Sequence, residues 1–198
     1  HPDLIRGSAL GSKMKDYSFF SYEMSEALHL SDKEKQLLYD CIVKIQFELT
    51  QNIDSYSQVL IASNIELMLN YCSRYYGRQF ITRKSANLDV VSKVEDILKG
   101  YFENEEKRNE GMPSVKYLAN TVNLSPSYLS DLLKRETGLN AQDHIHYFVI
   151  EQAKNILLQT NQSVSEIAYS LGFEYPQYFS RLFKQKTGKT PLEYRSKN

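Results

Sequence analysis

Two stretches fifty residues apart say nearly the same thing: "PSYLSDLLKRETG", Pro126 to Gly138, returns as "PQYFSRLFKQKTG", Pro176 to Gly188. Any fold for this chain must build both. Tyr128 pairs with Tyr178, Ser130 with Ser180, Leu132 with Leu182, Lys134 with Lys184, Thr137 with Thr187 and Gly138 with Gly188. Upstream, Leu118-Ala119 pairs with Ile167-Ala168 and Asn123-Leu124 with Gly172-Phe173, now forty-nine apart. The second copy therefore holds one more residue in its turn, where loops accept insertions and helices resist them.

Each copy reads as helix, tight turn, helix. Ser163 with Glu166 forms a capping box for a short helix through Leu171, and Gly172 supplies the left-handed conformation that stops it. Asn123 stands at the matching place, and Asn is the non-glycine residue that best tolerates that conformation. Ala119 and Ala168 suit the close crossing of two short helices. Pro126 and Pro176 are placed as first-turn residues that need no backbone donor. This pattern is helix-turn-helix grammar.

The second helix of each copy has two faces. Leu129, Leu132 and Leu133, like Phe179, Leu182 and Phe183, are predicted to pack inward. A polar stripe at i, i+3, i+4, i+7 faces out: Ser127, Ser130, Asp131 and Lys134 in one, Gln177, Ser180, Arg181 and Lys184 in the other. Gln and Arg pair bidentately with adenine and guanine edges, and a helix fits a major groove. Between the copies, Asn140 to Thr160 carries Ile145, Phe148, Val149, Ala153, Ile156 and Leu157 at helical spacing. One continuous helix there would set the distance between the motifs, about 34 Å for successive major grooves.

Charge is zero overall but uneven. From Pro176 to Asn198 stand Arg181, Lys184, Lys186, Lys189, Arg195 and Lys197 against Glu193 alone, while Ser85 to Gly111 is acidic. The basic end matters if those residues converge on one face. At 41% hydrophobic content, 198 residues suffice for one large core or two small ones. No apolar run is long enough to span a bilayer and no basic-then-apolar leader opens the chain, so no membrane partner is expected and the cytoplasm is the expected compartment. Cys41 and Cys72 lack metal-ligand spacing and read as free thiols. His144 and His146 cannot share a helix face at a spacing of two, so neither a metal nor a cofactor is expected. No nucleophile with a base and no phosphate-cradling glycine loop supports an enzyme.

The chain begins at His1 rather than Met and reads as a piece of a longer protein. A short strand is expected around Glu26 to Leu30. Ser31 with Glu34 then caps a helix marked by Leu38, Cys41, Ile42, Ile45 and Leu49. Asn52 to Asp54 break it, and Val59, Leu60, Ile65, Met68, Leu69, Cys72 and Tyr76 mark a second. Together they predict an antiparallel hairpin over about 31–76, whose outer apolar edge is expected to meet a second copy. Gly77 to Asn87 reads as a linker. Val90, Val91, Val94, Ile97, Leu98 and Phe102 mark the helix that follows, and "ENEEKRNEG" reads as a charged loop ended by Gly111.

Val164 to Arg195, "VSEIAYSLGFEYPQYFSRLFKQKTGKTPLEYR", resembles the C-terminal signature of the AraC/XylS family of bacterial transcriptional regulators, and the resemblance extends more weakly over the first motif. It implies a non-enzymatic transcriptional regulator, an activator that binds double-stranded DNA operators and recruits RNA polymerase. Carried over, it places base contacts on Ser127, Ser130 and Asp131 and on Pro176, Gln177, Ser180 and Arg181. Lys134, Lys184 and Lys189 resemble phosphate contacts. Three positions depart from the family: Asp131, where many relatives carry a longer basic or amide side chain; Val149, where they often carry Arg; and Pro176, which donates no hydrogen bond. Residues 1–84 look like the C-terminal remnant of a regulatory and dimerisation region, with a small-molecule effector bound by a missing N-terminal part.

The expected fold is all-α: a helical hairpin region, then a DNA-binding domain over 85–198. Its helix-turn-helix motifs lie at about 114–138 and 163–188, joined by a long connecting helix. A helical protein-interaction module without specific DNA binding is the competing reading. It explains the hairpin but leaves the doubled turn and its polar stripes without a purpose.

Overall fold

The computed structural model describes residues 4–196, so Lys197 of the basic end lies outside the described residues. Among these residues every regular element is a helix and no strand forms. None of the helices is long and apolar enough to cross a membrane. The chain divides into two compact units, His1–Lys84 and Ser85–Asn198.

The first unit holds α1 (Ala9–Lys13), three short 3-10 turns, α2 (Asp32–Thr50) and α3 (Ser57–Thr82). Helix α2 begins at the capping box expected from its sequence: the Ser31 hydroxyl accepts from Glu34 N and the Glu34 carboxylate accepts from Ser31 N at 2.8 Å. Asp54 ends the interhelical turn by accepting from the amides of Tyr56 and Ser57 at 2.8 and 2.9 Å. A small core of Leu10, Tyr17, Ala62 and Leu69 lies between α1, the turns and α3. By contrast α2 buries only Cys41, and leaves Ile42, Val43, Phe47 and Leu49 exposed. Cys41 and Cys72 are both free thiols.

Two expectations fail here, for one reason. The strand expected at Glu26 to Leu30 does not form: a 3-10 turn covers Met24–Glu26 and the chain beyond it has no neighbouring strand. The linker expected at Gly77 to Asn87 is helical, with α3 running to Thr82 and α4 starting at Lys84. The side chain of Gln79 joins the two regions. Its Oε1 accepts from His29 N at 2.9 Å and its Nε2 donates to Ala27 O at 3.2 Å, while Arg78 Nη2 donates to His29 O at 2.9 Å. Backbone groups that a sheet would have satisfied are satisfied by a helix. With Gln79 and Phe80 both buried, packing outweighs the ~1 kcal/mol helix penalty of Gly77.

The second unit opens with α4 (Lys84–Glu103), which buries Val94, Leu98, Tyr101 and Phe102. The charged segment after it, expected as loop, contains a five-residue helix, α5 (Glu105–Asn109). The Asn104 side chain caps it by accepting from Lys107 N at 3.1 Å. Gly111 at φ 106 ends the segment, and its carbonyl accepts from the Tyr101 hydroxyl at 3.0 Å. Then come α6 (Val115–Thr121), α7 (Pro126–Thr137), α8 (Ala141–Gln159), α9 (Val164–Ser170), α10 (Pro176–Thr187) and α11 (Pro191–Ser196). Helix α8 is the axle, with α6, α7, α9, α10 and α11 all packed against it. Its residues Ile145, Val149, Ile150, Ala153 and Leu157 are fully or almost fully buried. Val149 therefore serves the core.

Candidate nucleic-acid interface

The two helix-turn-helix motifs close their turns in the same way. Asn123 sits at φ 56 and Gly172 at φ 83, so both stop residues adopt the left-handed conformation. One residue later, Leu124 N donates to Ala119 O at 2.9 Å and Phe173 N to Ala168 O at 3.0 Å. Ala119 and Ala168 are completely buried at the crossings. The added residue of the second copy falls between Phe173 and Pro176, and it changes the start of the following helix. Helix α7 is capped by Ser125, whose hydroxyl accepts from Tyr128 N at 3.2 Å. Helix α10 follows Tyr175, whose side chain provides no cap.

Leu129, Leu132 and Leu133 are buried as expected, as are Phe179 and Phe183, whereas Leu182 is only half-buried. The paired tyrosines part company: Tyr128 is 4% exposed and Tyr178 58%. Ring volume accounts for this. Phe173, Phe179, Phe183 and Tyr194 form a chain of ring contacts with centroids 5.3 to 5.7 Å apart, where the first motif has the smaller leucines. Tyr178 instead lies outside, edge-on to the exposed Tyr175 at 5.6 Å. Identical letters gave no signal of this. The extra turn residue and the phenylalanines were the only clues.

Of the polar row on α7, Lys134 is exposed while Ser127, Ser130 and Asp131 are half-buried. The Ser130 hydroxyl accepts from Ala141 N at 3.2 Å, tying the helix to the start of α8. On α10, Gln177, Arg181 and Lys184 are exposed, with Pro176 and Ser180 half-buried beside them. Lys189, just past the helix, is half-buried. The second row thus stands clearer of its own protein than the first. Arg181, Lys184, Lys189 and Lys134 form no ion pair among the described residues.

Not all of the basic end is available. Lys186 Nζ bonds Asp143 Oδ1 at 2.8 Å, fastening α10 to α8 and holding the Asp143 carboxyl below its ordinary value. Arg195 donates to Leu157 O at 3.0 Å and to Gln162 O at 2.7 Å. It thereby satisfies a carbonyl that the end of α8 leaves without a helical partner. These two cations hold the motifs in place, and the sequence did not separate them from the rest. His144 and His146 bond Thr137 and Gln142, at 2.7 and 2.9 Å. Among the described residues no group of three His, Cys, Asp or Glu could hold a metal ion.

The arrangement offers two polar helix faces on a shared rigid axle, one of them rich in uncommitted donors. Residues 118–197 match a family described as a helix-turn-helix domain. The chain is 27% identical over 154 residues to the HTH-type transcriptional regulator YtdP of Bacillus subtilis, covering 75% of this chain and 19% of that protein. It is 29% identical over 141 residues to the arabinose operon regulatory protein of Salmonella typhimurium, covering 71% and 47%. It thus spans less than half the length of either relative. The C-terminal domain of the two-component response regulator yesN from Fusobacterium nucleatum is 29% identical, at a TM-score of 0.47, over 54% of this chain and 98% of that one.

Proposed function

Residues 118–197 carry a helix-turn-helix domain of the AraC type, and from that premise we propose that the chain is a sequence-specific DNA-binding transcriptional regulator. It places α7 and α10 in successive major grooves on one side of its operator. The observation that carries this reading is the exposed row of Gln177, Arg181 and Lys184 on a helix whose opposite face is sealed in the core by Phe179 and Phe183. Gln177, Ser180 and Arg181 read base edges, with Pro176 packing against them. Ser127, Ser130 and Asp131 serve the first motif; Ser130, although its oxygen is engaged, keeps its O–H to donate. Lys134, Lys184 and Lys189 hold phosphates. Helix α8, 19 residues and so about 28 Å long, spaces the readers. Any mismatch with the groove repeat is taken up by bending of the DNA.

On this reading the protein acts in the cytoplasm as an activator that recruits RNA polymerase, catalyses nothing itself and answers to a small effector bound outside this chain. Selection of bound sites from random DNA at about 150 mM salt tests the core of it. The expected product is an asymmetric site with two blocks about 10 base pairs apart. No enrichment, or enrichment of one block only, would overturn two-motif reading. Addition of the protein should raise transcription from a template bearing the selected site.

Residues 1–84 act, we further infer, as a dimerisation region. A second copy is the natural cover for an exposed apolar surface of this size, since soluble chains keep such patches small. Phe47, 61% exposed on α2, is central to it. Sedimentation equilibrium should find a dimer that Phe47→Glu converts to monomer. A monomeric parent chain at high concentration would end the dimer proposal.

A further inference from the structure

Beside the polar row of α10 stands an aromatic pair that the row does not include. Tyr178 is 58% exposed and Tyr175 45%, although their rings meet edge-on at 5.6 Å. The Tyr178 hydroxyl forms no hydrogen bond among the described residues. In the first motif the matching Tyr128 is buried in the core. The second motif thus holds out to solvent a large side chain, apolar in its body and polar at its tip, where the first uses the same residue for packing.

Helix geometry fixes where that side chain stands. Successive residues of an α-helix are turned by about 100°, so Gln177, Ser180, Arg181 and Lys184 share one face. Tyr178 lies about 60° round from Arg181 on the side away from Ser180, and Phe179 and Phe183 seal the opposite face in the core. It therefore borders the row at the first turn of the helix. When a helix enters a major groove, its N-terminal residues reach closest to the DNA. The middle of its exposed face meets base edges, while its borders meet the sugar-phosphate walls. Tyr178 occupies the first turn and the border together. Contact with the Tyr175 ring restricts how the Tyr178 side chain can turn, so less freedom is lost when it binds.

We infer that Tyr178 is a phosphate-binding residue of the second motif and that Tyr175 positions it. The phenol donates its hydroxyl hydrogen to a phosphate oxygen, and the ring lies along the adjoining sugar. This inference rests on the reading that α10 enters a major groove. A neutral phenol displaces no counterion, so its contact adds affinity and fixes the depth of the helix without adding to the salt dependence. In that respect it differs from Lys184 and Lys189. Base reading stays with Gln177 and Arg181, which hold the middle of the face.

Competition binding of the full chain to its selected operator, at several salt concentrations, tests the assignment. Tyr178→Phe removes one oxygen from an exposed side chain, so the melting temperature should not move. Operator affinity should fall about tenfold, as for a lost hydrogen bond to a charged group. The same fall is expected on sites altered at single base pairs. The slope of log affinity against log salt should keep its parent value, whereas Lys184→Ala lowers it by about 1. Tyr175→Phe keeps the edge contact and should bind like the parent, while Tyr175→Ala frees the Tyr178 ring and should weaken binding about threefold. A parent chain that selects no site sinks the DNA-reading proposal, and this inference with it. Where an operator is found, this inference alone is overturned by unchanged affinity of Tyr178→Phe, by a loss that varies with the base pairs, or by an equal loss in Tyr175→Phe. Full affinity in Tyr175→Ala would overturn the positioning role of Tyr175.

Discussion

Gly172→Val is expected to destroy the second helix-turn-helix motif. Gly172 has φ 83, and a Cβ there would stand 2.6 Å from Gly111 C and 2.8 Å from both Gly111 O and Met112 N. All three are backbone atoms and cannot turn aside like a side chain. A non-glycine residue in the left-handed region costs about 1–2 kcal/mol, and overpacking a closed contact about 1–3 kcal/mol more. A β-branched residue is worse placed than most. Urea unfolding should show a loss of about 3 kcal/mol or more, large against the ~5–15 kcal/mol that such domains possess. Gly188 supplies the control. It too has positive φ, 77, but a Cβ there would meet nothing within 4 Å. Gly188→Ala should therefore cost only the backbone strain, and Gly172→Ala distinctly more. Equal losses at the two glycines would refute the role of the Gly111 contact.

Arg181→Ala should weaken binding to the selected operator by about 1–3 kcal/mol and relax the preference at about one or two base pairs. The side chain is exposed on α10 next to Gln177, and no carboxylate among the described residues competes for it. Lys184→Ala should behave differently. Removing a cation that neutralises a phosphate weakens all sequences alike and lowers the slope of log affinity against log salt by about 1. Competition binding at several salt concentrations separates the two effects. Equal losses on operator and random DNA for both variants would sink the division into reader and anchor.

The turns and caps were legible because each is a local demand met by a few residue types. Asn123 and Gly172 differ in chemistry yet take the same left-handed conformation, and Ser31 and Ser163 both cap the helices that follow them. The candidate reading face was legible only as a pattern. Ser130, one of its members, also ties α7 to α8, and Lys186 and Arg195, counted with the basic end, are bound within the fold. Partners 11, 43 and 38 residues away made those assignments. No window of sequence around each residue contains them.

The same distinction explains the failures. Gly77 and the basic residues around it resemble a linker until Gln79 and Arg78 are seen bonded to Ala27 and His29, some fifty residues earlier. By itself, the sequence determined that a helix-turn-helix is built twice, where the first helix of each motif stops, and that the second turn is one residue longer. Those properties depend on φ, on caps and on periodicity, which act over a few residues. Tertiary structure alone decided that Tyr128 is a core residue and Tyr178 a surface one, that Gly172 must stay small for the sake of Gly111, and that Arg181 and Lys184 remain uncommitted while Lys186 does not. Burial and pairing depend on which distant atoms already occupy the neighbouring space, and two identical letters in different surroundings acquire different work.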